Sequence, residues 1–162
     1  MQPNLLVQQH KWIGMKNTNI GKLIINSQVS LAPMAGITDY VLRSLVRKYS
    51  KTCLLTTEMI SSEALVQVPV ANILNRDVDH SPVAYQLSGH KPQLMARAAK
   101  ILEPYADIID INMGCPVNKV VKGQDGCALM RNPELAFDIV KAIKAEVEIP
   151  VSVKFRLGYT AS

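Results

Sequence analysis

The 162 residues are 48% hydrophobic and 19% charged, with 18 basic against 13 acidic side chains and a formal net charge of +5. That balance argues against disorder and fits an ordinary soluble α/β protein of one domain at most. The charge and a pI near 9.2 are compatible with an anionic partner such as RNA without requiring one.

The opening "MQPNLLVQQHKWIG" lacks clear periodicity, and also the charged start and long apolar core of a signal peptide. Residues 1–14 read as a tail or an upstream start, with organised structure from Met15 onward. Short β-rich runs then alternate with helical patterns. The runs are Val29 to Pro33, Cys53 to Thr57, Val83 to Leu87, Asp107 to Met113 and Val151 to Phe155, each apolar enough for a strand buried on both faces. Between them Leu42, Leu45, Val46 and Tyr49 recur at helical spacing. So do Leu94, Ala98, Ile101 and Leu102, and then Ala136, Ile139, Val140 and Ile143. Asn132 before Pro133 predicts the start of the last helix, since Asn caps and Pro suits the first turn. Residues 57–82 are less regular and predict only a short helix near Ser61 to Val66.

Repeated β-α units imply a parallel sheet with right-handed crossovers. Strand parity then chooses between a doubly wound sheet and part of a (β/α)8 TIM barrel. Ala84, Gln86 and Ser88 share one face of their strand, Asp110 and Asn112 one face of the next, and Ser152, Lys154 and Arg156 one face of the last. Their opposite faces carry Val83, Tyr85, Leu87, Ile109, Ile111, Met113, Val151, Val153 and Phe155, which suit covering helices. Three adjacent strands with polar residues on one side fit a barrel, where that set converges near the C-terminal mouth on which such folds build their sites. A whole barrel needs roughly 250 residues. The expectation is therefore a truncated barrel, with only about the first five strands present and interior residues such as Ala84 and Ile111 bordering solvent or a partner.

Cys53, Cys115 and Cys127 are an odd number with no paired spacing, so neither a disulfide framework nor a zinc site is indicated, and a reducing cytoplasm follows. No apolar run approaches the ~20 residues of a membrane span. Cys115 stands apart in "DIIDINMGCPVNKVVKGQDG", residues 107–126. It follows a strand end directly, on a loop bent by Gly114 and fixed by Pro116, which holds its thiol above the mouth. With an ordinary pKa near ~8.5 such a thiol is mostly protonated at neutral pH and can give up a proton. Cys53 and Cys127 read as small buried hydrophobes. His10, His80 and His90 have no partners at metal spacing and read as solvated loop residues. Gly123 and Gly126 make no dinucleotide fingerprint. Glu58 lies just past the second run and reads as structural or RNA-positioning.

Five segments also carry a resemblance: "LAPMAGITD" at 31–39, "TTEMISSEAL" at 56–65, "DINMGCP" at 110–116, "GQDGCALM" at 123–130 and "VKFRLG" at 153–158. In this order and spacing they resemble the tRNA-dihydrouridine synthases, over about residues 20–160. The resemblance implies the N-terminal part (15–162) of an FMN-binding TIM-barrel catalytic domain. It also implies that the second barrel half and a helical tRNA-binding domain have no counterpart in the chain. The implied activity is saturation of the C5=C6 bond of uridine in tRNA by reduced FMN, recharged by NADPH, with no metal. Cys115 matches the general acid and Asn112 a residue near flavin and flipped base. Gln86 matches a contact to the flavin's pyrimidine edge, Lys154 the cation beside flavin N1 and the C2 carbonyl, and Pro33, Met34 and Ala35 the turn under the ring. Arg156 is assigned to tRNA, flavin or a structural salt bridge. A truncated inactive product, or another FMN barrel reductase, is the competing expectation.

Overall fold

A computed structural model of the chain describes residues 17–74 and 81–159. The expected tail at 1–14, with His10, and the loop residue His80 lie outside the described residues.

Thr18–Ile20 (β1) and Leu23–Ile25 (β2) form an antiparallel hairpin closed by Gly21 and Lys22. Only Ile25 of these strands is buried, so the pair leaves no alternating signal in the sequence. Ser30–Leu31 (β3), Leu54–Ser61 (β4), Val83–Ser88 (β5), Ile108–Met113 (β6) and Val151–Phe155 (β7) make one parallel sheet. They lie side by side in chain order. A doubly wound sheet reverses its strand order at a switch point, and no reversal occurs here. The sheet curls into a half-barrel of five strands. Tyr40–Tyr49 (α1) leads from β3 into β4, Ser62–Gln67 (α2) follows β4, and Pro92–Leu102 (α3) joins β5 to β6. Asn118–Lys122 (α4) and Pro133–Glu146 (α5) together join β6 to β7.

The central strands are short runs of β-formers buried on both sides: every residue of β5 and of β6 is buried. Tyr85, Leu87, Ile109, Ile111 and Met113 pack with Leu65, Met95, Leu102, Ile139 and Ile143 from the helices. Each such fully buried side chain contributes roughly 1.5–3 kcal/mol relative to exposure, so this sandwich anchors the fold. At the start of α5, Asn132 Oδ1 accepts from Leu135 N at 3.0 Å with Pro133 in the first turn, as that dipeptide predicts. Ala84 and Ile111 do not border solvent as expected; both are buried, Ile111 within the helix-covered core.

Three further expectations are corrected. In α1, Tyr49 is 87% and Leu45 48% exposed, while Arg43 and Arg47 are buried. Arg47 donates to Ser50 O (3.1 Å), Cys53 O (2.8 Å) and Pro82 O (2.9 Å), and Arg43 to Thr38 O (2.6 Å). Carbonyls at loop and strand ends, of which Pro82 O is also bonded by Leu55 N, draw in guanidinium groups, a need that periodicity does not register. Phe155 is 65% exposed rather than helix-covered, because β7 is the edge strand of the sheet. The second run is longer than predicted: β4 continues to Ser61 through a register shift between Thr56 and Met59, so Glu58 lies within the strand. There Thr57 Oγ1 accepts from Gln86 N at 3.1 Å, a side chain supplying the ladder partner that the shift removes.

Candidate functional site

Parallel pairing places Gln86 opposite Asp110, Asp110 opposite Ser152, and Asn112 opposite Lys154. The polar face read from parity therefore becomes a continuous row across three strands. Asp110 is its base: Oδ2 accepts from Gln86 Nε2 and Oδ1 from Ser152 Oγ, both at 2.6 Å. A buried carboxylate is tolerated only where donors surround it, and here two neighbouring strands supply them. Gln86 in turn accepts from Asn112 Nδ2 through Oε1 at 3.1 Å. The network fixes which way both amides point.

That orientation holds the cysteine loop. Asn112 Oδ1 accepts from Gly114 N at 3.1 Å and Cys115 N at 3.0 Å. Arg156 Nε donates to Gly114 O at 2.7 Å, and Cys127 N donates to Cys115 O at 3.0 Å. Gly126, at φ +61°, lies against the same peptide: a Cβ there would stand 2.6 Å from Cys115 O and 3.1 Å from Cys115 Cβ. Peptide groups on both sides of the thiol are thus bonded, while Cys115 as a residue stays partly exposed. Cys53 and Cys127 are buried.

On the same rim, the turn after β3 carries Pro33, Met34 and Ala35. Met34 N donates to Thr38 Oγ1 at 2.9 Å, Thr38 N donates to Met34 O at 2.9 Å, and Gly36 N donates to Glu58 Oε1. Glu58 thereby braces the turn from the neighbouring strand. β4 and β5 separate this turn from β6, and Met59 on β4 links inward, its Sδ receiving Asn112 Nδ2 at 3.5 Å.

The structure joins Gln86, Asn112, Cys115 and Arg156 in one hydrogen-bonded group and sets Lys154 beside Asn112 in register. Lys154 is exposed on the edge strand, not enclosed as the apolar run suggests. Arg156 Nε bonds a loop carbonyl, and among the described residues it forms no salt bridge. His90, expected in solvent, meets Asp125 Oδ1 through Nδ1 at 2.8 Å, and Ser88 Oγ donates to Asp125 Oδ2 at 3.3 Å. Asp110 and Asp125 are the residues that pattern reading passes over. The first sits on the polar face already recognised, but the second lies in a loop with no periodicity to mark it. Among the described residues no group of three or more His, Cys, Asp or Glu is arranged to hold a metal. No helix among them is long and apolar enough to cross a membrane.

The rim presents a partly exposed cysteine on a fixed loop, a group that can give up a proton. Residues 30–162 match the family model described as "Dihydrouridine synthase (Dus)". The chain is 39% identical over 163 residues to a probable tRNA-dihydrouridine synthase 1 of Synechocystis, covering 98% of this chain and 46% of that protein. A probable tRNA-dihydrouridine synthase of Rhizobium leguminosarum is 42% identical over 137 residues, covering 83% and 43%. The tRNA-dihydrouridine synthase B of Shewanella oneidensis is 41% identical over 145 residues, covering 86% and 44%. The chain spans a little under half the length of these relatives.

Proposed function

The chain belongs to the dihydrouridine synthase family, and we propose that residues 15–162 form the N-terminal part of an FMN-binding barrel that reduces the C5=C6 bond of uridine in tRNA. NADPH is the reductant, the cytoplasm the compartment, and no metal takes part. The second barrel half and a tRNA-gripping helical domain complete the enzyme.

The observation that carries this reading is the Cys115 loop, whose flanking peptide groups are bonded while the cysteine stays partly exposed at the strand ends. FMN fits the residues available: the Pro33–Ala35 turn offers a backbone platform braced by Thr38 and Glu58. Lys154 has no carboxylate partner among the described residues and can stand beside the ring's N1 and C2 carbonyl. When bound, FMN supplies the electron pair for the reduction. The chain's residues do the rest. Gln86 keeps one Nε2 hydrogen and one Oε1 lone pair with which to orient a ring edge in the mouth, while Asn112, its amide engaged by Gln86, Met59, Gly114 and Cys115, orders the loop beside it. Cys115 Sγ–H gives its proton to uracil C5 on one defined face as C6 is reduced, and the thiolate regains a proton from solvent. Arg156, beside Gly114 O, can reach toward an RNA phosphate with its terminal guanidinium nitrogens, which have no partner among the described residues.

In the full-length enzyme Cys115→Ala should retain the flavin spectrum and NADPH oxidation while tRNA reduction falls by about 10²-fold or more, the range for a positioned acid. Unchanged tRNA turnover would remove Cys115 from the mechanism.

A further inference from the structure

Asp125 lies one residue before Gly126, in the segment that closes over the Cys115 loop. Its carboxylate reaches back across the rim to the end of β5 and the loop after it, receiving Ser88 Oγ at 3.3 Å and meeting His90 Nδ1 at 2.8 Å. Nδ1 is thereby the ring nitrogen that faces the carboxylate. Asp125 N also donates to Val120 O at 3.0 Å, which ties the same residue to α4. Gly126 follows at φ +61°, so close to the Cys115 carbonyl that no side chain fits between them. Cys127 N then completes the seat by donating to Cys115 O at 3.0 Å. The contacts run without a break from the end of β5, through Asp125, to the peptide that carries the thiol.

We propose that Asp125, held by His90 and Ser88, is a positioning residue for Cys115: it fixes the turn on which Gly126 and Cys127 seat the cysteine peptide, and so sets where the thiol points. The inference rests on the reading of Cys115 as proton donor, since a thiol that must serve one face of a base needs placement to within about an ångström. It adds His90, Asp125 and Gly126, which touch neither base nor flavin in that reading. The Ser88–His90–Asp125 group is not a hydrolytic triad, because Ser88 is bonded to the carboxylate rather than to the imidazole.

The test uses the full-length, flavin-loaded enzyme and two readouts. Alkylation of Cys115 by iodoacetamide, followed by mass spectrometry of its peptide, reports thiol placement without turnover. Steady-state tRNA reduction separates kcat from KM. Asp125→Ala and His90→Ala should change the alkylation rate about threefold or more. They should lower kcat about tenfold, with KM for tRNA and flavin reduction by NADPH within about twofold, as expected for a misplaced group rather than a lost one. Asp125→Asn keeps a carbonyl acceptor for His90 and should recover most of the loss. Gly126→Ala, which drives a methyl into the Cys115 peptide, should exceed both single changes. Wild-type alkylation and kcat in Asp125→Ala would overturn the proposal, and so would a lower Tm that leaves both readouts unmoved. Should Cys115→Ala itself turn over normally, the acid assignment fails, while the alkylation rates still decide whether Asp125 positions that thiol.

Discussion

Asn112 does two jobs with one side chain, and its amide makes both possible. Its Nδ2 donates to Gln86 and its Oδ1 receives the N–H groups of Gly114 and Cys115. Aspartate would place an acceptor against the Gln86 oxygen, and alanine would leave two loop donors unpaired. Each orphaned buried donor costs about 1–3 kcal/mol. Asn112→Ala in the full-length enzyme should therefore lose about 3 kcal/mol in denaturant unfolding and about 10²-fold in tRNA turnover, the scale of a misplaced reacting group. An unmoved midpoint would mean that the loop holds itself without the amide. Parity along the strand marks Asn112 as facing the mouth, but its tie to the Cys115 peptide depends on the sharp turn at Gly114.

At the level of elements, α1 reverses the usual rule for an amphipathic helix. Val41, Leu45 and Tyr49 are exposed, whereas Arg43 and Arg47 are buried. Arg47 spreads over Ser50 O, Cys53 O and Pro82 O, joining the end of α1 to the starts of β4 and β5. Arg47→Met keeps the length of the stem and removes all three donations. It should cost about 2 kcal/mol, near 1 kcal/mol each for Ser50 O and Cys53 O, because Pro82 O keeps its bond from Leu55 N. Lysine in its place should recover only part, because one ammonium cannot match the span of the guanidinium fork. A loss below about 0.5 kcal/mol in urea unfolding would show that water satisfies these carbonyls equally well. Elsewhere the elements follow their local signals: α5 starts at Asn132 and Pro133, and β5 to β7 occupy their apolar runs.

For the whole molecule, the sheet has two edges. β3 and β7 each pair on one side only among the described residues, and Phe155 and Leu157 stand exposed beside the second edge. Unpaired strand edges with apolar neighbours promote association, and α1 adds its own exposed stripe. Expressed as these 162 residues alone, the chain should elute as oligomers or aggregate and carry no flavin absorbance. The check is size-exclusion chromatography with a scan through the flavin band. A compact monomer with stoichiometric flavin would contradict the prediction and show that five strands suffice for a site.

The order and kind of the main elements, the polar parity of β5, β6 and β7, and the singular place of Cys115 were all legible in the amino-acid sequence. Each depends on local rules: a period of two or 3.6, a capping residue, a turn residue after a strand. Tertiary structure alone decided that Arg43 and Arg47 go inside, that Glu58 lies within a strand and braces the Met34 turn, and that His90 reaches Asp125. Apart from Arg43, bonded to Thr38 O five positions away, those outcomes join residues far apart in the chain: 35 positions for Arg47 and Pro82 and for His90 and Asp125, and 22 for Gly36 and Glu58. They are set by which buried polar groups still lack a partner once the strands have paired. No window of sequence contains that requirement, because it exists only after β4, β5 and β6 lie side by side.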